Sequence, residues 1–518
     1  MNIQLNKLSL KILIILLLLV PAGLRPASAP GKKLIGTAKP RYNVLFLFID
    51  DLRPELGCYG SKNIHSPNID GLASGATLFK RHYVMVPTCG PSRACLLTGR
   101  RPRNIDEISN DVLEKKLRAQ VPPNIPESFV DNLRLNGYYT VGMGKISHSP
   151  DGYIYKYTEQ KGTKRELPAS WNEMLLDPGQ WGTGWNAFFG YAGGKNRNDQ
   201  KNQVTPYESA DVADEGYPDG LTAALAVKKL EELAGRKKPF FLGVGFFKPH
   251  LPFNAPKKYW DLYDRSKIEL TPSPGLSKNV NVESLHESSE FNGGYKLGDE
   301  KASLSKPVSD DYARKLRHGY FAGVSYMDAQ VGKVLAALKK LGLEKNTIIV
   351  LWGDHGWHLG DNRVWGKHTL SEWSLRSPLI VKTPGLPKGA VSNKIVSSVD
   401  IYPTLMELCG IKSPGNLDGK SFVMLLKDPE SNRWQNLAYS YFKKGISLRT
   451  DTFRFSKYFR SQLPDQELYD HSNDAYETNN ISSFHPEINS RLLPLLEKGN
   501  TGLYNTKPLL PQNPTEGQ

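Results

Sequence analysis

The chain has 518 residues, enough for one large α/β domain and a smaller companion, and its formal net charge of +15 points to polyanionic partners. No nucleic-acid-binding motif accompanies that charge, and its four cysteines, Cys58, Cys89, Cys95 and Cys409, are too few and too scattered for a disulfide framework, leaving room for one bridge at most if Cys89 is modified. Lys7 and Lys11 precede the apolar stretch Ile12–Val20, and Ala27-Ser28-Ala29 supplies small residues, so residues 1–29 read as a secretory signal peptide. The apolar core is shorter than the ~20 residues of a spanning helix. The mature chain is therefore expected to be secreted or periplasmic, without stable membrane insertion; an uncleaved anchor is the alternative, because Pro30 is awkward after a cleavage site. Loss of the leader takes Lys7, Lys11 and Arg25 with it and lowers the net charge from +15 to +12.

Tyr42–Ile49 is a nearly continuous apolar run, as expected of a parallel strand buried on both faces, and it ends in Asp50-Asp51. Pro239–Phe247 follows a helix around Leu221–Leu233 and ends in Lys248-Pro249-His250. Thr347–Trp352 follows the helix Val324–Leu341, whose apolar residues recur at helical spacing, and ends in Gly353-Asp354-His355. Strands alternating with helices imply a mostly parallel central sheet flanked by helices, and open α/β sheets bind ligands beyond the carboxyl ends of their strands. Asp151–Pro218 and Ser273–Pro307 lack periodicity and read as long loops framing a site. After the Gly- and Pro-rich stretch Gly410–Gly419, the segments Leu437–Phe442, Ile446–Arg449 and Phe453–Phe459 read as short strands of a small antiparallel C-terminal subdomain. The tail after Thr506 has the composition of a disordered segment.

The stretch Pro87-Thr-Cys-Gly-Pro-Ser-Arg93, followed by Leu97-Thr-Gly-Arg100, is the most specific in the chain. Pro91 suits the first position of a helix, since its φ is helical and its missing N–H is one a first turn cannot bond. Cys89 then sits just before that helix, where free N–H groups and the positive dipole end favour an oxyanion, and Arg93 one turn inward adds a cation. A lone Cys-x-Pro would be an ordinary buried cysteine; the full string is far longer than chance provides. Adjacent Asp50 and Asp51 repel unless a cation lies between them, although alone they read equally as a helix cap and a surface carboxylate. Joined to Asp354-His355 they form an oxygen-rich set suited to a hard divalent ion such as Ca²⁺, less clearly Mg²⁺ or Mn²⁺, and ill suited to zinc.

These motifs, with Phe48–Gly60, Ser66–Asp70, Gly142–His148, Lys248–Phe253, Asp354–Gly360, Pro403-Thr-Leu405 and Leu468-Tyr-Asp470 in the same order, resemble the type I sulfatases over most of residues 40 to 480, the iduronate-2-sulfatase branch in particular. The resemblance implies an alkaline-phosphatase-like sulfatase fold, with a catalytic domain over 30–430 and the C-terminal subdomain over 431–518. It implies that Cys89 is converted by a formylglycine-generating or equivalent enzyme to formylglycine, whose gem-diol attacks sulfur. One Ca²⁺ would be held by Asp50, Asp51, Asp354 and His355, with the residue derived from Cys89 also touching it. Arg93, Lys145, His148, His250 and Lys367 would surround the sulfate, with Asp51 assisting attack, His250 or Lys367 protonating the departing sugar oxygen and His148 taking the proton whose loss expels sulfate. The substrate implied is a sulfated oligo- or polysaccharide, a 2-O-sulfated uronate or related unit. Nothing in Asp151–Pro218 aligns with uronate-binding positions, so the sugar stays open. Two other readings stay open beside it: a phosphate or phosphonate ester hydrolase of the same fold, and a non-catalytic binder of sulfated glycans should Cys89 remain a thiol. Trp357 is a candidate for packing against a sugar face or within the core.

Overall fold

Alternate residues of the first strand serve opposite cores, and the architecture follows from that. The computed structural model describes residues 41–115 and 125–504; the leader expected over 1–29 and the tail after Thr506 lie outside the described residues. In chain order the strands are β1 (Asn43–Ile49), β2 (Thr77–Tyr83), β3 (Tyr139–Gly144), β4 (Glu173–Leu175), β5 (Tyr207–Ala210), β6 (Phe240–Phe246), β7 (Phe253–Pro256), β8 (Thr347–Gly353), β9 (His358–Leu359), β10 (Trp365–Gly366), β11 (Leu379–Lys382), β12 (Ala390–Ser397), β13 (Ala438–Phe442), β14 (Gly445–Arg449), β15 (Phe453–Tyr458) and β16 (Gln466–Asp470). Leu45, Leu47 and Ile49 of β1 pack with Leu316, Tyr320, Val324 and Met327 of the 31-residue helix Asp310–Lys340. Val44, Phe46 and Phe48 face the other way, onto Leu96, Leu97, Phe129, Tyr402 and Leu405 from the helices Cys89–Thr98, Phe129–Leu135 and Ile401–Leu408.

The eight strands of the main sheet run in the order β12-β2-β11-β8-β1-β6-β3-β4. Every pairing is parallel except the two made by β11, which runs against both β8 and β2. In the parallel centre, Ile49 lies beside Phe246 on one side and Gly353 on the other, and Gly144 lies beside Gly245. Four chain segments thus leave the sheet at one level and on one edge, which is where an open α/β sheet builds its site. The close approach of β3 and β6 requires glycine: Gly144 has φ +68, and a Cβ there would stand 2.1 Å from Gly245 O.

A separate antiparallel sheet, β13-β14-β15-β16, carries the helix Pro486–Glu497 on an apolar face of Leu448, Phe455, Leu468, Leu492 and Leu496. It meets the main body through Tyr441 N donating to Met85 O and Ser440 Oγ donating to Val84 O. The three expected C-terminal strands are present, and β16 completes the sheet as a fourth. The helix expected over Val324–Leu341 is the C-terminal half of a longer one, started by the Ser309 hydroxyl accepting from Tyr312 N. The two segments without periodicity also hold structure: β4, β5 and the helix Gly184–Phe188 lie in the first, and the short helix Ser289–Gly294 in the second. These pieces are too short for a period to show. None of the four cysteines is bonded to another, so the optional disulfide is not formed.

Candidate active site

In an extended strand, neighbouring side chains point to opposite faces. Asp51 escapes that alternation because its backbone turns left-handed, φ 56, directly after β1. Both carboxylates consequently reach one point: Asp50, Asp51, Cys89 and His250 each offer a ligand atom, all within 4.8 Å of one another, and Cys89, Asp354 and His355 form a second such group sharing the cysteine. Cys89 is the first residue of its helix rather than the one before it, and Pro91 is the third. The shift is free, because Pro91 still falls among the N–H positions without an intrahelical partner; the first bond is Ser92 N to Thr88 O, 3.0 Å. Gly90 N donates to Asn110 Oδ1 at 3.0 Å, and Ser92 Oγ donates to the Asp354 carbonyl. The serine of the motif therefore ties the cysteine's helix to the strand end bearing Asp354.

The donor set fits a hard divalent ion. His355 Nδ1 faces Gly356 O at 2.9 Å, which leaves Nε2 free to ligate, 3.4 Å from Asp51 Oδ1 and 3.7 Å from Asp354 Oδ1. Cys89 Sγ lies 3.3 Å from the same nitrogen and 4.0 Å from Asp51 Oδ1. Burial raises the pKa of Asp51 well above the ordinary carboxylate range and raises that of Asp354 as well, against the pull of Lys367 and His355 respectively. Two acids held up by burial are what a bound cation would relieve. Asp50 differs: burial works against it, yet Lys145, His250 and Arg93 together hold it well below that range. The unmodified Cys89 thiol, buried and near Asp50, is pushed up to about 12.

Around this cluster stand the expected cations. Lys145 Nζ donates to Asp50 Oδ2 at 2.6 Å, and Lys367 Nζ to Asp51 Oδ1 at 3.0 Å. Arg93 is fully buried and fully used: Nε donates to Asp354 Oδ2 at 2.9 Å, Nη2 to Asp50 Oδ1 at 3.1 Å and Nη1 to the Lys145 carbonyl. A cavity of about 630 Å³ opens above, lined by Cys89, Lys145, His148, His250 and Lys367. Arg93 is not in that lining; it braces two carboxylates from behind. His148 packs near Trp185, with ring centroids 5.4 Å apart, and its buried Nδ1 has no hydrogen-bond partner. Burial, then Lys145, depresses its pKa, so the ring stays neutral.

The His250 turn is fixed from two sides. Asp219, near the start of the helix Pro218–Ala234, accepts from Phe247 N at 2.8 Å and Lys248 N at 2.9 Å, while Lys248 Nζ donates to the carbonyls of His250 (3.0 Å) and Pro252 (2.6 Å). Lys248 is thereby structural. His250 Nε2 lies 3.1 Å from Glu290 Oε1, and Glu290 Oε2 lies 3.3 Å from Lys367 Nζ. Glu290 is the residue that sequence reasoning missed: it sits in the aperiodic Ser273–Pro307 segment, and only the fold brings it to His250. Arg197, Asn198, Lys201 and Tyr157, from the other segment read as loop, also line the cavity. Trp357 is 1% exposed and packs in the core, which removes it as a sugar platform.

A family model described as Sulfatase matches residues 42–411, and one described as N-sulphoglucosamine sulphohydrolase, C-terminal, matches residues 353–498. Iduronate 2-sulfatase of Mus musculus is 31% identical over 425 residues, covering 74% of this chain and 72% of that protein. The Homo sapiens iduronate 2-sulfatase is 32% identical over 414 residues, covering 73% and 71%. A sulfatase of Formosa agariphila is 30% identical over 462 residues, covering 86% and 84%. Among solved structures, a phosphonate monoester hydrolase of Silicibacter pomeroyi superposes with a TM-score of 0.70 at 23% identity, covering 89% of this chain and 95% of that one. A structure in complex with its substrate D-glucosamine-2-N,6-O-disulfate gives 0.68 at 20% identity, covering 90% and 99%. The likeness to these two is one of fold, and the fold is the one the motifs implied.

Proposed function

This chain belongs to the sulfatase family, on its iduronate-2-sulfatase-like branch, and on that premise we propose that it removes ester sulfate from a sulfated glycan, a 2-O-sulfated uronate or related polysaccharide unit, using a formylglycine made from Cys89 and one Ca²⁺. The enzyme is a sulfuric ester hydrolase; substrate, modification and ion are our reading. One observation supports it above the rest: three carboxylates, two imidazoles and the cysteine at a helix start converge beneath a cavity walled by cations. Export through residues 1–29 and maturation by a formylglycine-generating or equivalent enzyme belong to the same reading. Among the described residues no helix is long and apolar enough to cross a membrane.

Asp50, Asp51, Asp354 and His355, with the side chain derived from Cys89, would hold the ion, which when bound supplies a Lewis acid for the sulfate oxygens. A formylglycine gem-diol supplies one hydroxyl to attack sulfur and a second whose deprotonation expels sulfate. The chain's own residues do the rest. Arg93 orients Asp50 and Asp354 and pulls both toward the charged form, outweighed at Asp354 by burial. Lys145 and Lys367 stay cationic, because their carboxylate partners outweigh burial, and so hold the sulfate oxygens as negative charge develops. His250 lies between acceptors, with Nδ1 on Leu251 O and Nε2 on Glu290 Oε1. Burial and Lys367 push its pKa down to about 4, so near neutral pH the proton for the departing sugar oxygen comes from Lys367, which stays cationic. His148, neutral and with a free ring nitrogen, is the base for the final step.

Mass analysis of the Cys89 tryptic fragment should show the aldehyde in active material, and 4-nitrophenyl sulfate should turn over faster than 4-nitrophenyl phosphate. Cys89→Ala should fold normally and lose turnover altogether. A strong phosphatase preference, or an unmodified thiol in actively desulfating enzyme, overturns the assignment.

A further inference from the structure

Among the described residues, one buried cation of the cavity lacks a counter-charge. Lys145 is paired with Asp50, and Lys367 with Asp51 and Glu290. Arg197 lines the same cavity and is 8% exposed, yet among the described residues no carboxylate lies within ion-pair distance of it. Its guanidinium rests 3.3 Å above the Phe189 ring, Nη1 is 3.4 Å from Tyr295 Oη, and its buried Nε has no hydrogen-bond partner. Stripping water from a guanidinium without supplying an acid is unfavourable, and ordinary structural arginines avoid it. A guanidinium without an acid partner on the wall of a substrate cavity suits one ligand chemistry, an oxyanion.

The surrounding loop is built to hold that arginine. Arg197 N donates to Phe189 O at 3.1 Å, and Asn202 N returns to Arg197 O at 3.0 Å. Asn196 and Asp199 bond each other twice, at 2.6 and 2.9 Å, and Asn198 Nδ2 donates to Tyr157 O and Asn186 Oδ1, each at 3.1 Å. Lys201 and Asn202 carry left-handed backbones, φ 49 and 64, a strain that persists where the surroundings impose it. Lys201 is exposed on the same cavity lining.

We propose that Arg197, helped by Lys201, reads a second anionic group on the sugar that bears the scissile sulfate, so that the enzyme selects doubly anionic residues. The inference rests on the sulfatase reading and adds to it a specificity-determining side chain outside the reacting centre. The shared chemistry is an oxyanion, from either a uronate carboxylate or a second sulfate.

The test compares kcat/KM of the wild type, Arg197→Gln and Arg197→Lys on 4-nitrophenyl sulfate, a neutral hexose monosulfate, a 2-O-sulfated uronate disaccharide and a glucosamine disulfate. In Arg197→Gln the loss on one doubly anionic class should exceed the loss on 4-nitrophenyl sulfate by about 10- to 100-fold, with lysine intermediate. The class that suffers identifies the group read. Equal losses on all four substrates, or a wild type preferring the neutral monosulfate, overturn the proposal. If the glutamine variant does not fold, the lysine variant, which keeps charge and stem, decides by the same ratio. Should the wild type cleave no sulfate at all, the sulfatase reading fails by itself. Calorimetric binding of the same sugars then judges Arg197: weaker binding of a doubly anionic sugar to the variant supports its role, and equal affinities reject it.

Discussion

Asp354 has both oxygens engaged within the protein, Oδ2 with Arg93 Nε at 2.9 Å and Oδ1 with the backbone N–H of Asp51 at 3.0 Å. Asp354→Asn keeps the shape and removes the charge, leaving Arg93 with Asp50 as its remaining carboxylate. We expect a fall in turnover of about 100-fold or more, together with a lower calcium content by elemental analysis. Unchanged metal content would remove this aspartate from the ligand set. Glu290→Gln belongs beside it: Lys367 loses one of its two carboxylate partners and His250 the carboxylate facing its Nε2, and kcat should fall about 10- to 100-fold with KM little altered. The contrast between the two residues shows what a sequence discloses. Asp354 stands next to His355 at the end of an apolar run, so its place in the cluster was legible locally. Glu290 lies on a six-residue helix inside an aperiodic stretch, and its meeting with His250 and Lys367 is wholly tertiary. Arg93 was legible as a cation near Cys89, but its position behind the carboxylates was not, because spacing along a helix does not say which way a guanidinium turns.

At the scale of elements, the turn after β3 carries both Lys145 and His148, and a buried acid from elsewhere in the chain holds it. Glu166, 3% exposed, accepts from Ser147 Oγ and from Ser149 N at 3.1 Å. Burial lifts its pKa from 4.5 to about 7, with the two serines opposing. A carboxyl whose folded pKa is raised binds its proton more tightly when folded. Its contribution is complete below pH 4.5 and declines as the pH climbs through about 7. Glu166→Gln, which keeps the shape without the charge, should therefore flatten this part of the melting-temperature profile between pH 5 and 8. Glu166→Ala should instead lose about 1–3 kcal/mol at every pH by leaving Ser149 N unpaired. A profile identical to the wild type in Glu166→Gln would show that this acid does not titrate in the folded range. The long strands were legible at this scale, since runs buried on both faces read as unbroken apolar sequence. The reversal at β11 and the three-residue edge strand β4 were not, because direction leaves no mark on composition and three residues show no period.

Across the whole molecule, the C-terminal sheet is tied to the chain beside the active site by buried ion pairs: Arg449 on β14 holds Glu372 at 3.2 Å, and Arg454 holds Glu477. Arg454 on β15 grips Glu477 with both Nε and Nη2, the latter at 2.7 Å from Oε2. Arg454 Nη1 also donates to the Leu370 carbonyl, and Glu477 Oε2 accepts from Glu372 N at 2.9 Å. Residues 370 to 372, pinned in this way, follow closely on Lys367. The expected strands β13 to β15 were legible, but this tie to the lysine was not, since Glu477 follows β16 in irregular chain and meets Arg454 only after folding. Glu477→Ala strands a buried guanidinium and should cost about 3–5 kcal/mol, read as a lower melting temperature, with turnover reduced while the Cys89 modification is unaffected. Replacing both partners, as Arg454→Met with Glu477→Leu, should recover most of that loss, because no charge is then left buried. The pair also sets an acid limit opposite in sign to that of Glu166. Burial works against the Glu477 carboxylate, but Arg454 and His471 hold its pKa far below 4.5, so its contribution is full above that value and is lost as the pH falls. The wild type should therefore melt earlier at pH 3 than at pH 6, and the double variant should lack the share of that drop due to Glu477. An equal drop in both proteins would place the acid limit elsewhere in the fold.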